Sequence, residues 1–117
     1  MTPEERERYS RQILFSPIGE SGQELLLQSK VAIVGCGALG TFQATALARA
    51  GVGTLIIVDR DYVEPSNLQR QWLFDEQDAR ENMPKAAAAA RSISRINAST
   101  KVHPHITDLN PTNICLL

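Results

Sequence analysis

The sequence has 117 residues, a length typical of one small domain, and its 12 basic and 13 acidic residues give a formal net charge of -1. This balance excludes the broad positive surface that attracts nucleic acid or anionic membranes, and no apolar run approaches the roughly 20 residues of a membrane-spanning helix. Cys36 and Cys115 form no disulfide pattern, and nothing resembling a signal peptide follows the charged N-terminus. These features predict a cytoplasmic protein that binds neither nucleic acid nor membrane.

The first part of the chain, residues 1–29, predicts a helical segment. Residues 3–13 are predicted to form one helix, because Thr2 can cap its first turn and a proline suits the first helical position. Residues 21–28 are predicted to form a second short helix, with three consecutive leucines giving it a buried side. We expect this segment to precede an α/β domain that begins at residue 30.

Residues 30–117 alternate between strand and helix patterns. The predicted strands are 30–34, 54–58 and 101–106, and the predicted helices are 39–50 and 84–96. This β-α-β-α-β order predicts an α/β fold with a Rossmann-like parallel sheet and right-handed crossovers. A polar connection over residues 60–80 holds one helical turn at most, and compact domains rarely keep so long a loop without a use for it.

The first strand combines two conflicting signals. Its residues 31–34 are all apolar, which predicts burial on both faces of the sheet. A strand order of 3-2-1 nevertheless leaves it at one edge, and Pro104 predicts an edge position for the third strand. We therefore expect the missing neighbour to come from further sequence or another chain, and residues 30–117 to be the N-terminal part of a domain truncated before its later strands.

A glycine-rich turn joins the first strand to the first long helix. Gly35 permits the tight turn, Gly37 allows close approach of a ligand, and Gly40 allows the helix to pack on the strand. Asp59 ends the second strand, where a carboxylate can accept hydrogen bonds from the two hydroxyls of a ribose. The turn and the acid together predict a site for an adenine nucleotide and leave NAD and ATP open.

The polar connection supplies the distinction between these two ligands. Asn67, Arg70 and Gln71 place hydrogen-bond donors near the carboxyl ends of the strands, and arginine binds phosphate oxygens in a bidentate way. Lys85 lies in the first turn of a helix, where the helix dipole disfavours a cation unless an anion binds there. This arrangement favours a triphosphate.

Several motifs occur together in a specific order. They are Tyr9-Ser10-Arg11-Gln12-Ile13, the turn Gly35 to Gly40, Asp59-Arg60-Asp61, Ser66-Asn67-Leu68-Gln69-Arg70-Gln71 and Pro84-Lys85. From about residue 8 to about residue 106 the sequence resembles the ThiF/MoeB/HesA family, relatives of the ubiquitin-activating enzymes. The Asn-Leu-Gln-Arg-Gln string is specific to that family, whereas the glycines are not.

The resemblance implies an ATP-dependent adenylyltransferase. Such enzymes activate the C-terminal glycine of a ubiquitin-like sulfur-carrier protein, in a thiamine- or molybdopterin-type pathway, and release pyrophosphate. ATP and Mg²⁺ are used; the Mg²⁺ ligands are expected mainly beyond residue 117, as is any zinc site. By this resemblance the chain alone is expected to be an incomplete and inactive fragment.

The resemblance also implies roles for individual residues. Those expected to bind the nucleotide are Gly35, Gly37 and Gly40 around adenosine, Asp59 at the ribose, Asp61 in the adjoining loop, and Asn67, Arg70, Gln71 and Lys85 around the triphosphate. Those expected to stabilise the charge that develops during adenylation are Arg11, Arg70 and Lys85. Arg11 resembles an arginine that reaches the phosphates bound to the partner subunit, which implies a homodimer.

Two other functions remain open from the residues. The same fold serves NAD-dependent oxidoreductases, and a non-catalytic dimerisation or binding module can also retain it. The donors at Asn67 to Gln71 and the cation at Lys85 have no role in hydride transfer, and they therefore favour adenylation.

Five further side chains are interpreted without a chemical role. Cys36 is expected to pack inside the glycine turn. His103 and His105 alternate along one strand without a third metal ligand, and they are expected to be solvated. Trp72 and Phe74 are expected to anchor the polar loop or a dimer contact.

Overall fold

The computed structural model describes residues 1–117 and contains one sheet, six α-helices and two short 3-10 helices. In chain order the elements are α1 (Pro3–Arg8), α2 (Ser10–Ile13), α3 (Gly19–Gln28), β1 (Lys30–Val34), α4 (Ala38–Ala50), β2 (Thr54–Val58), a 3-10 helix (Pro65–Asn67), α5 (Glu76–Arg80), α6 (Lys85–Ile96), β3 (Lys101–His105) and a second 3-10 helix (Ile114–Leu116). None of the helices has the length and apolar character needed to cross a membrane.

The three strands form a parallel sheet in the order β1-β2-β3. Val31 pairs with Leu55 and Leu55 with Val102, so one face of the sheet carries matching apolar residues across all three strands. Helix α4 connects β1 to β2 and helix α6 precedes β3, which confirms the predicted Rossmann-like α/β fold. Pro104 lies on an edge strand, as predicted.

The core lies between one face of the sheet and helices α4 and α6. Leu55 and Ile57 of β2 are completely buried there, and burial of each side chain contributes about 1.5–3 kcal/mol. The helices present small side chains to each other and to the strands, among them Ala44, Ala48 and Ala89. These alanines allow the close approach that fixes the position of both helices above the sheet.

Within residues 1–117, β1 is buried on one face only, and its predicted neighbour is not among these residues. Ile33 packs in the core, whereas Ala32 is exposed and Val34 is 60% exposed on the opposite face. The physical reason is geometric, because α4 and α6 cover one face only and β1 pairs with a neighbour on one side only. The continuous apolar sequence therefore does not correspond to continuous burial within residues 1–117.

The N-terminal segment is helical, but not as one helix followed by another with buried leucines. The single residue Tyr9, with φ of −99° and ψ of 12°, divides the predicted helix into α1 and α2, and its side chain is buried. In α3 the buried residue is Gln23, whereas Leu25 is 66% exposed. The predicted cap is present, since Thr2 and Glu5 form a reciprocal capping box.

These N-terminal helices attach to the C-terminal end of α4. The side-chain amides of Gln12 and Gln23 both donate to the Ala50 carbonyl, at 2.8 and 3.1 Å, and so satisfy an acceptor that the helix leaves unpaired. Gly51 follows with φ of 96°, and a Cβ there would lie 2.5 Å from Gln23 Nε2. A glycine is therefore required for this contact.

Asn97 joins the N-terminal segment to both long helices. It caps the end of α6, and its Nδ2 donates to the Tyr9 hydroxyl at 2.8 Å and to the Ala48 carbonyl at 2.9 Å. All of these groups are buried, so each bond has no competing water.

We predict that Asn97→Ala lowers the free energy of unfolding by about 2–3 kcal/mol, because two buried acceptors lose their donor. Tyr9→Phe removes one partner of the same network and is expected to cost about 1 kcal/mol. Urea denaturation of the two variants measures the difference. Equal losses would contradict a network centred on Asn97.

Candidate functional site

The predicted site residues other than Arg11 lie near the carboxyl ends of the three strands, where open α/β sheets bind their ligands. One cavity of about 170 Å³, the strand-end cavity, lies between Gly35, Asp59 and residues 107–109. A second cavity of about 490 Å³, the lysine cavity, includes Asn67 and Lys85. The site therefore has two adjoining compartments along one edge of the sheet.

Two glycines are required by the shape of the turn between β1 and α4. Gly35 has φ of 94°, a left-handed conformation, and its N–H donates to the Val58 carbonyl at 2.8 Å. A Cβ at Gly40 would lie 2.0 Å from the Gly35 carbonyl oxygen. The turn therefore brings the start of α4 against the ends of β1 and β2.

Gly37 has a different position in the same turn. It is the N-cap of α4, and no side chain caps that end of the helix. A Cβ added at Gly37 would have Gln71 Nε2 as its nearest neighbour, at 3.9 Å, which is an ordinary contact. The helix end at Gly37 is thus left open to a polar or anionic ligand.

The Asp59 carboxylate links the glycine turn to the loop after β2. Its Oδ2 accepts a hydrogen bond from Cys36 N–H at 2.7 Å, and its Oδ1 accepts one from Asp61 N–H at 2.7 Å. A carboxylate offers about four acceptor positions, so about two remain for a ligand. These bonds fix the orientation of the Asp59 carboxylate at the end of β2.

The polar loop is ordered by its own side chains and by the start of α6. Asn67 is buried, and its Oδ1 accepts from Glu64 N–H at 2.9 Å. Val63 N–H donates to the Met83 carbonyl and Lys85 N–H donates to the Asp61 carbonyl. Asn67 therefore shapes the loop through its oxygen while its amide nitrogen stays free of protein partners.

Lys85 is the only cation of the lysine cavity that is buried. It is 8% exposed and forms neither an ion pair nor a side-chain hydrogen bond. The place of Lys85 in the first turn of α6 exposes its ammonium to the repulsion of the helix dipole. An anionic ligand in this cavity would offset that repulsion.

Arg70 and Gln71 lie outside both cavities. Arg70 is exposed, and its Nη1 donates to the Ser66 carbonyl at 2.9 Å. Gln71 is 4% exposed, and its Oε1 is buried without a hydrogen-bond partner. Because Gln71 Nε2 faces Gly37, the unsatisfied amide lies next to the open end of α4.

Arg11 lies far from these residues in the same chain. It belongs to α2, whose neighbouring residues Tyr9 and Gln12 contact Gly51 and Ala50 at the C-terminal end of α4. The glycine turn is at the other end of that 13-residue helix, about 20 Å away. The guanidinium is exposed and has no partner in its own chain.

Cys36 has the packing role that was predicted. It is completely buried, and burial, reinforced by the Asp59 carboxylate, raises the pKa of its thiol from 9.0 to about 12, although Lys85 acts in the opposite direction. The thiol is therefore protonated and unreactive in the folded protein at neutral pH. Cys115 is exposed, and neither cysteine is in a disulfide.

The two aromatic residues predicted to anchor the loop, Phe74 and Trp72, differ in burial. Phe74 is buried in the core and anchors the loop, as predicted. Trp72 is 70% exposed and packs edge-to-face on Phe42, with ring centroids 5.7 Å apart, so it does not anchor the loop in the core. His103 is exposed and His105 half-buried, and no group of three or more His, Cys, Asp or Glu is placed to hold a metal ion.

Arg60 and Asp108 also line the strand-end cavity, although no role was predicted for either. Their side chains form an ion pair across the ends of β2 and β3, with Arg60 Nη1 3.0 Å from Asp108 Oδ2. The sequence signal was limited to the position of Arg60 beside the ribose acid, since Asp108 is 48 residues further along the chain.

The parallel sheet, the open helix end after a glycine turn and the acid at the end of β2 define a Rossmann-like α/β domain. The model of the ThiF family matches residues 9–116. The chain therefore belongs to the ThiF family, as the sequence resemblance implied.

Curated relatives are adenylyltransferases. The chain is 54% identical over 107 residues to the sulfur carrier protein ThiS adenylyltransferase of Bacillus subtilis (strain 168), covering 92% of this chain and 32% of that protein. It is 46% identical over 106 residues to the molybdopterin-synthase adenylyltransferase of Haemophilus influenzae, covering 91% of this chain and 40% of that protein. The chain thus spans about a third of the length of these relatives.

Solved structures show the same architecture. PaaA superposes with a TM-score of 0.87 at 42% identity, over 95% of this chain and 36% of PaaA. The E. coli tRNA N6-threonylcarbamoyladenosine dehydratase TcdA, solved in complex with ATP, superposes with a TM-score of 0.88 at 27% identity, over 98% of this chain and 46% of TcdA.

We predict that Gly40→Ala lowers the free energy of unfolding by about 2–3 kcal/mol, because the new methyl group meets the Gly35 carbonyl oxygen. Gly37→Ala serves as the matched control, since its methyl group meets only an ordinary contact; we expect a change below about 1 kcal/mol. Thermal or urea unfolding gives both values. Similar losses in the two variants would contradict the close approach at Gly40.

Proposed function

We propose that the protein is an ATP-dependent adenylyltransferase that activates the C-terminal glycine of a ubiquitin-like sulfur-carrier protein. One observation supports this proposal most strongly. The ribose acid Asp59, fixed by the glycine turn, lies beside a cavity that contains the nearly buried and unpaired Lys85. An ATP molecule has the matching order of groups, namely a diol and a chain of anionic phosphates.

The proposed binding mode assigns each compartment a part of ATP. The turn formed by Gly35, Gly37 and Gly40 accommodates adenosine, and Asp59 accepts hydrogen bonds from the ribose hydroxyls. Asn67 and Lys85 face the phosphates in the lysine cavity. Asp61 supports both compartments through its backbone, since its N–H binds Asp59 and its carbonyl accepts from Lys85 N–H.

Arg70 and Gln71 complete the proposed phosphate site from the loop. The guanidinium of Arg70 is exposed and holds a single carbonyl, so it can turn toward a phosphate at low cost. The Gln71 amide lies beside the helix end at Gly37, where its Nε2 can donate a hydrogen bond to a phosphate oxygen.

The proposed chemistry is attack of a carboxylate oxygen of the carrier on the α-phosphorus of ATP, with pyrophosphate as the leaving group. Negative charge gathers on the phosphate oxygens in the transition state. A cation fixed before the reaction stabilises that charge without reorganisation, and Lys85 is held in such a position by α6. Arg70 and Arg11 would add to this stabilisation.

The position of Arg11 supports a homodimer. Its own glycine turn is about 20 Å away along α4, beyond the reach of an arginine side chain. If Arg11 acts on the phosphates, it must therefore act on those bound to a second copy, as an arginine finger does in other phosphoryl-transfer enzymes.

The relatives support the proposed substrate class. The protein from Bacillus subtilis is named for its action on the sulfur carrier ThiS, and TcdA was solved with ATP. Mg²⁺ is proposed to accompany ATP with ligands mainly outside residues 1–117, and a zinc site would also lie outside them. The charge balance and the two free cysteines favour the cytoplasm.

Because residues 1–117 alone are expected to be inactive, the proposal is tested on the full-length protein, of which these residues are a part. ATP–pyrophosphate exchange is measured in the presence of purified sulfur carriers of the thiamine and molybdopterin types, together with direct binding of ATP and NAD. Exchange that depends on a carrier is the expected result. Binding of NAD without ATP would instead indicate an oxidoreductase, and ATP binding without exchange for any carrier would indicate a non-catalytic module.

We predict that Lys85→Ala lowers the exchange rate by about 100-fold or more, because the developing charge loses a fixed cation. Lys101→Ala is the matched control, since Lys101 is exposed at the start of β3, at the opposite end of the strands. Its exchange rate is expected to be unchanged. An equal effect of the two substitutions would show that Lys85 acts through overall charge only.

We predict that Arg11→Ala and Lys85→Ala homodimers are both inactive, whereas a mixture of the two regains activity. A random mixture is expected to give about a quarter of the normal exchange rate, because half of the dimers carry one intact site of two. Mixing Arg70→Ala with Lys85→Ala is the control and should give no rescue, since both residues belong to the same subunit's site. Absence of rescue with Arg11→Ala would place Arg11 within its own chain's site.

A further inference from the structure

The two cavities of the site share Arg60 and Asp61 but differ in charge. The strand-end cavity contains three carboxylates, from Asp59, Asp61 and Asp108, against the single guanidinium of Arg60. Its other walls include the apolar side chains of Val34, Val58 and Leu109. An excess of negative charge together with apolar walls suits a neutral ring and repels phosphate.

This difference sets the direction of a bound nucleotide, provided that the proposed function holds. The phosphates belong in the lysine cavity beside Lys85, and the ribose lies at Asp59. The base then extends away from Lys85 into the strand-end cavity. Arg60 lies at the boundary of the two compartments, next to the place where the base begins.

The Arg60 side chain is held in this place from two sides. Its Nη1 lies 3.0 Å from Asp108 Oδ2, and its Nε lies 3.8 Å from Asp61 Oδ1. The three side chains are largely exposed, and exposed ion pairs contribute little to folding stability. The pair thus fixes the orientation of a planar cation at the mouth of the cavity more than it stabilises the fold.

We propose that the face of the Arg60 guanidinium stacks on the adenine ring of bound ATP, and that Asp108 acts as a positioning residue that holds Arg60 in place. Guanidinium groups stack on aromatic rings, and a restrained one loses less conformational entropy on binding. Arg60 and Asp108 join the ends of β2 and β3, so the sheet itself sets the width of the base site.

The test is the binding of adenosine, AMP and ATP to the purified protein, measured by calorimetry. Arg60→Ala is expected to weaken all three ligands by the same factor, about 3- to 30-fold, because stacking acts on the base that they share. Lys85→Ala is expected to weaken ATP far more than adenosine. A loss confined to ATP in Arg60→Ala would overturn the proposal, since Arg60 would then act on phosphate.

Two further variants separate the planar face from the charge. Arg60→Lys keeps the cation but removes the guanidinium plane, and it is expected to lose most of the adenosine affinity that Arg60→Ala loses. Asp108→Asn is expected to weaken adenosine by a smaller factor. In the double variant Arg60→Ala/Asp108→Asn the loss should equal that of Arg60→Ala alone, because Asp108 acts through Arg60. Additive losses would refute the positioning role.

Arg80→Ala is the matched control, since Arg80 is an exposed arginine at the end of α5 that pairs with Glu76. Its ligand affinities should not change. Measurements on the unmodified protein distinguish a failure of this inference from a failure of the proposed function. Adenosine and ATP binding without carrier-dependent exchange would count against adenylation alone, whereas unchanged adenosine affinity in Arg60→Ala would count against the stacking alone.

Discussion

The Asp59 carboxylate is the contact on which the rest of the site depends. One oxygen accepts from Cys36 in the glycine turn and the other accepts from Asp61 in the following loop, both at 2.7 Å. The Asp61 carbonyl in turn accepts from Lys85 N–H at the start of α6. A single side chain therefore sets the positions of two helix N-termini and of the loop that connects β2 to α6.

This arrangement explains why an unfavourable lysine is tolerated. Lys85 is nearly buried and unpaired, while the core beneath it is dense with alanines such as Ala86 and Ala89. Burial of those residues holds α6 against β3 and keeps the ammonium near the lysine cavity. Burial of the core residues thus stabilises the fold enough to offset the unfavourable position of Lys85. A rigid scaffold commonly holds a preorganised charge in this way.

The sequence alone predicted the helices and strands, and it predicted the residues whose neighbours in the sequence carry a strong signal. The apolar strand at residues 54–58 and the alanine-rich helix α6 were predicted to within one residue, because strand and helix signals are strong there. Burial was less predictable, since it depends on what covers an element. The leucines of α3 and the outer face of β1 look like core in sequence, yet Leu25 and Val34 are exposed.

Contacts between distant segments could not be predicted from patterns. Neither the bond between Tyr9 and Asn97 nor the ion pair between Arg60 and Asp108 has a local signature, because each joins residues brought together only by the completed sheet. The role of Asp59 could be predicted only in part. Its place after β2 predicts a ribose acid, whereas its hydrogen bond to Cys36 appears only once β1 and β2 are paired.

The two ends of helix α4 have different roles. Its N-terminus at Gly37 is left without a side-chain cap and faces the site, whereas the carbonyl of Ala50 at its C-terminus is saturated by Gln12 and Gln23. The helix therefore separates Arg11 from its own nucleotide site by a fixed length that no side-chain rotation can close. A requirement for Arg11 in adenylation would consequently be a requirement for a second subunit, and the rigidity of α4 would make the activity depend on assembly.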